Sequence, residues 1–214
     1  MVKVSASLWS ADLTDLGDEI KKIEKYVDYF HFDVGDGLYV HSLLFFPDLI
    51  RALKQKTKLP FEIHLMVNNP DNFLKLFEDC SDLIAFHPES TNSAINLIKK
   101  IKRLGLKAGI VINTNESIEH FEDILTKVDK VTLMGTKIGV KGEEFDKNVY
   151  NKIKNLRKFY DQRNIKIIEI EVDGGIRPYT VEKIVNAGAD TIVAGSILFN
   201  KKYKLASKWL HKLE

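Results

Sequence analysis

Apolar and polar positions follow two periods along this chain, and the periods take turns. Short β-rich runs occur at 2–8 (VKVSASL), 30–34 (FHFDV), 60–66 (PFEIHLM) and 82–87 (DLIAFH). Four more follow at 107–113 (KAGIVIN), 130–135 (KVTLMG), 167–174 (IIEIEVDG) and 190–196 (DTIVAGS). Each is succeeded by a stretch with helical periodicity or helix-forming composition. Residues 12–27 put Leu16, Ile20, Ile23 and Val27 on one face, with Asp12 as the expected N-cap. Residues 94–104 do the same with Ile95, Leu97, Ile98, Ile101 and Leu104, and 180–187 runs into the helix stop Asn186-Ala187-Gly188. Eight strand–helix pairs in 214 residues predict an α/β fold, a single-domain (β/α)8 TIM barrel near the lower end of that fold's size range. A doubly wound open sheet is the alternative, but it rarely uses eight regular repeats. No linker-like segment breaks the pattern, so residues 1–214 read as one barrel domain.

Alternation within the strands adds a second layer. In a barrel, one face of each strand meets the helices and the other the interior. Phe30, Phe32 and Val34 are then outward, leaving His31 and Asp33 inward. Phe61, Ile63 and Leu65 point outward against Glu62, His64 and Met66 inward, and Ile168, Ile170 and Val172 against Glu169, Glu171 and Asp173. Ser5 and Ser7 share the inward face of the first strand. The barrel axis is thus loaded with ionisable groups, which need partners or a metal when enclosed. His31, Asp33, His64 and Asp173 fall near the C-terminal strand ends, the rim where this fold keeps its active sites.

Composition narrows the function classes. With 32 Lys+Arg against 30 Asp+Glu, the net charge of +2 gives no electrostatic case for nucleic acid or an anionic membrane. No apolar run approaches the length that crosses a bilayer, and the N-terminus does not read as a signal peptide. The single cysteine, Cys80, excludes an internal disulfide, reads as a packed thiol, and fits a reducing, cytoplasmic setting.

Two imidazoles and two carboxylates converging on one rim suit a divalent transition ion such as Zn, Mn, Fe or Co. Taken singly, an inward histidine is more often a hydrogen-bonded core residue; the joint reading rests on four such groups at equivalent strand ends. A second signal concerns phosphate. Gly174-Gly175 follows the seventh strand, Gly195-Ser196 ends the eighth, and Gly139 and Gly142 lie after the sixth. In this fold, backbone N–H groups after the last strands often hold a phosphate. Any one glycine pair more often serves a tight turn; three neighbouring loops favour the phosphate reading.

The blocks SLWSADL, HFDVGDG, EIHLMV, EVDGGI and NAGADTIVAGSILF, in this order and spacing, resemble the ribulose-phosphate 3-epimerase family over nearly the whole chain. The resemblance implies a (β/α)8 barrel that epimerises a phosphorylated ketose at C3. It implies one divalent metal ion held by His31, Asp33, His64 and Asp173, with Asp33 and Asp173 also the catalytic acid/base pair. Ser7, His64, Met66 and Met134 match substrate-contacting positions, joined by Gly139, Gly142, Gly174, Gly175, Gly195 and Ser196 around the phosphate. The chemistry expected is the D-ribulose 5-phosphate to D-xylulose 5-phosphate type, through an enediolate. Relatives often assemble as dimers or hexamers, so a homo-oligomer is expected.

Three departures stand out. Gly35 replaces a methionine usual in the family, which predicts a larger or looser site beside Asp33. The loop after the sixth strand reads MGTKIGVKGE where the family is close to MSVNPGFGGQ; Lys137 and Lys141 are added charges there. His41-Ser42 replaces Pro-Asn. FHPESTN also resembles the allulose-6-phosphate 3-epimerase branch, whose substrate has six carbons, whereas EVDGGI and VAGS follow the pentulose branch. A longer ketose phosphate is therefore the alternative substrate, and an impaired phosphosugar-binding barrel the alternative class. The decarboxylase and synthase relatives carry Asp-x-Lys-x-x-Asp on strand two; Asp33-Val-Gly35-Asp36 has no such lysine, which argues against decarboxylation.

Overall fold

The computed structural model describes residues 1–165, 167–200 and 202–213. Eight parallel strands form the wall: β1 (Lys3–Ser7), β2 (Tyr29–Asp36), β3 (Phe61–Met66), β4 (Leu83–Phe86), β5 (Lys107–Ile112), β6 (Lys130–Met134), β7 (Glu169–Asp173) and β8 (Thr191–Ala194). Each pairs with its sequence neighbour, and β1 pairs with both β2 and β8, closing the barrel. The helices are α1 (Leu16–Ile23), α2 (Pro47–Lys54), α3 (Leu74–Phe77), α4 (Ala94–Arg103), α5 (Glu122–Leu125), α6 (Val149–Gln162), α7 (Pro178–Asn186) and α8 (Tyr203–Leu210). A two-residue strand, Leu43–Leu44, runs antiparallel to Gly35 and Asp36 and carries β2 beyond the rim.

The expected (β/α)8 barrel is present, with strands one or two residues shorter at most ends than the apolar runs and β2 longer than its run at both ends. Asp12 is not the helix cap: α1 starts at Leu16 behind Asp15. Asp12 instead accepts from the Thr14 amide (3.0 Å) and hydroxyl (2.7 Å), so its side chain is consumed by a turn ahead of the helix.

The outward strand faces form the main core with the helices. Phe30, Phe32, Phe61, Ile63, Ile170 and Val172 are fully buried, and the Phe32 and Phe61 rings lie 4.7 Å apart between centroids. Each of these burials removes a large apolar side chain from water, worth roughly 1.5–3 kcal/mol apiece.

The closed, N-terminal end of the barrel is pinned by a fourfold device. Asp28, Asp82, Asp129 and Asp190 precede β2, β4, β6 and β8. Each donates its amide to, and through its carboxylate accepts the amide of, one residue of the preceding strand: Val4, Phe61, Ala108 and Ile170. The same four carboxylates pair with a basic side chain near the end of a neighbouring helix or along it: His211, Lys54, Lys102 and Arg157. Alternate strand junctions are thereby riveted in an identical way.

Register decides what meets at the other end. Ser7 sits beside His31, Asp33 beside His64, and Met134 beside Asp173. Neighbouring strands thus bring these residues to one level of the interior.

Candidate active site and metal centre

The period-2 rule that buries the phenylalanines outward turns His31, Asp33, His64 and Asp173 inward, and their ligand atoms all lie within 4.8 Å of one another. His31 Nε2 is 3.3 Å from Asp33 Oδ1 and 3.6 Å from Asp173 Oδ2. His64 Nδ1 repeats those distances, 3.3 and 3.6 Å, to the same two oxygens. Ser7 Oγ donates to Asp33 Oδ2 at 2.9 Å. His31, His64 and Asp33 are buried, and the Asp173 side chain is 13% exposed.

Charge at this cluster is unbalanced. Burial works against protonating His31, but Asp33, Glu62 and Asp173 outweigh it and hold the imidazole pKa well above its usual range. His64 is raised likewise, burial being overcome by Asp173 and Asp33. Burial works to raise the Asp33 carboxyl, yet His31 and His64 keep it below the usual carboxylate range. Two carboxylates and two imidazoles here call for positive charge, which protons or a cation supply. Among the described residues, neither ring nitrogen of His31 has a hydrogen-bond partner. Buried nitrogens without partners, aimed at carboxylates, fit a divalent ion of the kind that imidazole and carboxylate bind together.

Above the cluster opens a cavity of about 210 Å³. Ser7, Asp33, Met66, Met134, Gly139, Gly142, Asp173, Gly174, Gly175, Gly195 and Ser196 all border it, so every substrate-side position expected from the sequence is gathered there except His64, which lies beneath the floor with His31. Gly174 and Gly175 both have positive φ, 92° and 68°. A Cβ on Gly174 would meet Thr136 Oγ1 at 2.3 Å, so the bare backbone also lets the loop after β6 lie against the loop after β7.

That loop after β6 crosses the mouth and is tied on both sides. The Ser42 hydroxyl donates to the Gly139 carbonyl (3.0 Å). Lys141 Nζ donates to the Trp9 carbonyl (2.6 Å) and lies 4.9 Å over the Trp9 ring. Lys137, Lys141 and Arg177 are the cations bordering the cavity. His41 is exposed and lies outside the cavity lining.

The expectation that Gly35 enlarges the site is overturned. Gly35 does not border this cavity, and a Cβ there would sit 2.5 Å from the Ser42 carbonyl oxygen and 3.0 Å from Val40. The strand Leu43–Leu44 and its approach occupy the space that a side chain would take.

Two functional-looking groups escaped the sequence reading. His87, at the end of β4, is fully buried with Nε2 2.9 Å from His64 Nε2. Burial and the neighbouring His64 push its pKa well below the usual range. Lys130, only 1% exposed, sits one layer below the cluster, 3.0 Å from Glu62 and 2.8 Å from Glu171. Burial disfavours its charge, but Glu171, Glu62 and Glu169 raise its pKa above the usual range. Glu171, squeezed by burial and by Glu62, is pushed up to about 8. Both misses obey the alternation rule: His87 is in phase with Ala85 on β4, and Lys130 with Met134 on β6. The signal was present in strands otherwise read as apolar.

Solved structures similar to this chain share the barrel. They include 3-keto-L-gulonate-6-phosphate decarboxylase from Vibrio cholerae (TM-score 0.73, 16% identity, 99% of this chain and 96% of that one). They also include a 3-hexulose-6-phosphate synthase (TM-score 0.68, 18% identity, 98% of each). At such identities the likeness speaks to fold alone. Sequence relatives are nearer. Ribulose-phosphate 3-epimerase of Bacillus subtilis is 36% identical over 203 residues, 94% of either chain. That of Methanocaldococcus jannaschii is 37% identical over 202 residues, 94% of this chain and 86% of its own. A family profile described as the ribulose-phosphate 3 epimerase family matches residues 3–199. With fold, rim chemistry and relatives in agreement, the chain belongs to the ribulose-phosphate 3-epimerase family.

Proposed function

We propose that this protein is an isomerase that inverts C3 of a phosphorylated ketose, interconverting D-ribulose 5-phosphate and D-xylulose 5-phosphate. The observation that carries the reading is the His31, Asp33, His64 and Asp173 cluster under a cavity bordered by glycine-rich loops. These four side chains would hold one divalent ion. When bound, that ion supplies Lewis-acid polarisation of the ketone, which makes the adjacent C–H more acidic.

The residues of the chain do the rest. Asp33 stands on β2 and Asp173 on β7, with β1 and β8 between them, so the two carboxylates approach the cavity from different sides. One removes the C3 proton and the other returns a proton to the opposite face of the flat enediolate, which inverts the centre. The Ser7 hydroxyl, already donating to Asp33 Oδ2, orients that carboxylate and borders the sugar end. Met66 and Met134 give the reacting carbons an apolar wall, limiting water at the enediolate. Backbone N–H groups of Gly174, Gly175, Gly195 and Ser196, with the N-terminus of α7 beyond Arg177, receive the phosphate. Gly139 and Gly142 let the loop after β6 lie over it, and Lys141 adds a cation at the cavity edge.

A five-carbon substrate is preferred over a longer one for two reasons. The relatives at 36–37% identity are named ribulose-phosphate 3-epimerases, and the space freed by Gly35 is filled by the Ser42 backbone. A cytoplasmic setting and self-assembly belong to this reading. Among the described residues no helix is long and apolar enough to cross a membrane, and the exposed Leu13, Leu43, Phe46 and Leu76 border one apolar groove beside the rim.

The test is C3 epimerisation of five-, six- and seven-carbon ketose phosphates, with and without chelator, following C3 deuterium uptake in heavy water. Preference for ribulose 5-phosphate with loss of turnover on chelation is expected. Activity indifferent to chelator would remove the four side chains from their role as ligands, and no deuterium uptake on any substrate would favour a binding protein.

A further inference from the structure

Two buried imidazoles meet edge to edge behind the cluster. His64 Nε2 and His87 Nε2 are 2.9 Å apart, with ring centroids at 5.1 Å and both residues 0% exposed. A nitrogen–nitrogen contact this short holds one proton: one ring donates, the other presents a lone pair.

Glu89 sets the direction. Its Oε1 lies 3.6 Å from His87 Nδ1, beyond hydrogen-bond range but close enough for its charge to act on that nitrogen. The oxygen is held there by the Tyr39 hydroxyl and by Asn113 Nδ2, which donates at 2.8 Å. Among the described residues His87 Nδ1 has no hydrogen-bond partner, so Glu89 is the group that biases it. Were His87 to donate from Nε2, a bare Nδ1 would face a carboxylate. With the proton on Nδ1, His87 Nε2 is bare and accepts from His64. His64 then carries its proton on Nε2, and with a divalent cation at the point shared by Asp33 Oδ1 (3.3 Å) and Asp173 Oδ2 (3.6 Å) its Nδ1 would turn a lone pair to that cation rather than to the bare carboxylates.

We propose that His87 and Glu89 are positioning residues, a Glu89–His87–His64 chain that fixes His64 in the tautomer whose Nδ1 is free to bind a divalent cation. This rests on His64 being a ligand, as given above. It goes further by assigning two residues that touch neither ion nor sugar. Groups that orient a ligating histidine from behind commonly govern metal affinity about 10–100-fold.

Zinc titration against a competing chromophoric chelator, together with nitrogen-15 NMR of the zinc-loaded protein, reads this directly. In the unaltered protein His64 should carry its proton on Nε2 and His87 on Nδ1. His87→Phe, which removes the acceptor, should weaken zinc binding about 10–100-fold. His87→Gln, which can present an oxygen at similar reach, should recover most of that loss, which a merely space-filling role would not produce. Glu89→Gln, at a partly exposed site, should weaken zinc binding several-fold while leaving the melting temperature of the metal-free protein unchanged. Zinc affinity unchanged in both His87→Phe and Glu89→Gln, or a bare Nε2 on His64 in the NMR spectrum, overturns the proposal and leaves the metal reading standing. A folded, unaltered protein that takes up no zinc or other divalent ion overturns both.

Discussion

The barrel interior holds two polar layers, two residues apart on the same strands, and they are solved in opposite ways. The upper layer contains Asp33 and Asp173 with His31 and His64; the lower contains Glu62 and Glu171 with Ser5, Thr132 and Lys130. Both bury two carboxylates. In fact His31, Glu62 and Glu171 also place ligand-type atoms within 4.8 Å of one another. What separates the layers is Lys130. Its ammonium stands between Glu62 and Glu171, while Thr132 donates to Glu171 at 2.9 Å and Ser5 to Glu62 at 3.3 Å. The lower layer carries a lysine and is closed; among the described residues the upper has only its two imidazoles against the carboxylates and opens on the cavity. Buried acidity alone does not mark a metal site. Buried acidity that faces imidazoles rather than a fixed ammonium, beside a route for ligands, is the kind that suits an exchangeable cation.

Four substitutions probe the contrast. The largest effect belongs to the upper layer: Asp173→Asn should lower kcat on the order of 10³-fold with the fold intact, as removal of a proton-transfer group does, measured by coupled assay and circular dichroism. Glu62→Gln should leave kcat much closer to that of the unaltered enzyme; an equal loss would erase the distinction between layers. Next, Lys130→Met leaves the buried Glu62 carboxylate, with Glu171 beside it, without their cation and should cost about 3–5 kcal/mol in urea unfolding. Adding Glu171→Gln should return part of that loss.

The third effect is on pH. The folded pKa of Glu171, about 8, lies above its unfolded value, so the folded state binds the extra proton between those limits. Its contribution to stability is therefore full in acid and lost as pH rises through about 8. Unfolding free energy should fall by up to about 1.4 kcal/mol per pH unit across that window from this group, and Glu171→Gln should flatten the slope. A slope unchanged in Glu171→Gln would show that the lower layer has no such strain. Smallest, Lys141→Met at the rim should raise KM for the phosphorylated ketose about fivefold with kcat nearly unchanged, the pattern of lost uniform binding. Lys141→Arg should keep the lower KM.

Period and phase along single strands carried much of this molecule. The eight strands, the inward set on β1, β2, β3 and β7, and the gathering of the glycine loops at one rim all follow from alternation plus the rule that such barrels work at their C-terminal face. The same alternation covers Lys130 and His87, yet their strands read as apolar runs, and one polar residue at the edge of such a run looks like its boundary. Gly35 failed for another reason. A missing side chain suggests space, but whether space exists depends on the chain returning as Leu43–Leu44 and bringing the Ser42 carbonyl against it. That is a long-range register, which no local pattern encodes. Asp12 failed because two aspartates three residues apart both precede an apolar face, and Thr14 captured the first.

The four aspartate rivets at the closed end have a consequence for how the molecule breathes and varies. They divide the cylinder into two-stranded quarters, each with a doubly bridged backbone at its base. The amides of Val4, Phe61, Ala108 and Ile170 should then be among the slowest to exchange with heavy water, whatever happens at the opposite rim. A foundation anchored so far from the chemistry leaves the crossing from Gly135 to Asp146 free to change its side chains without loosening the wall beneath it.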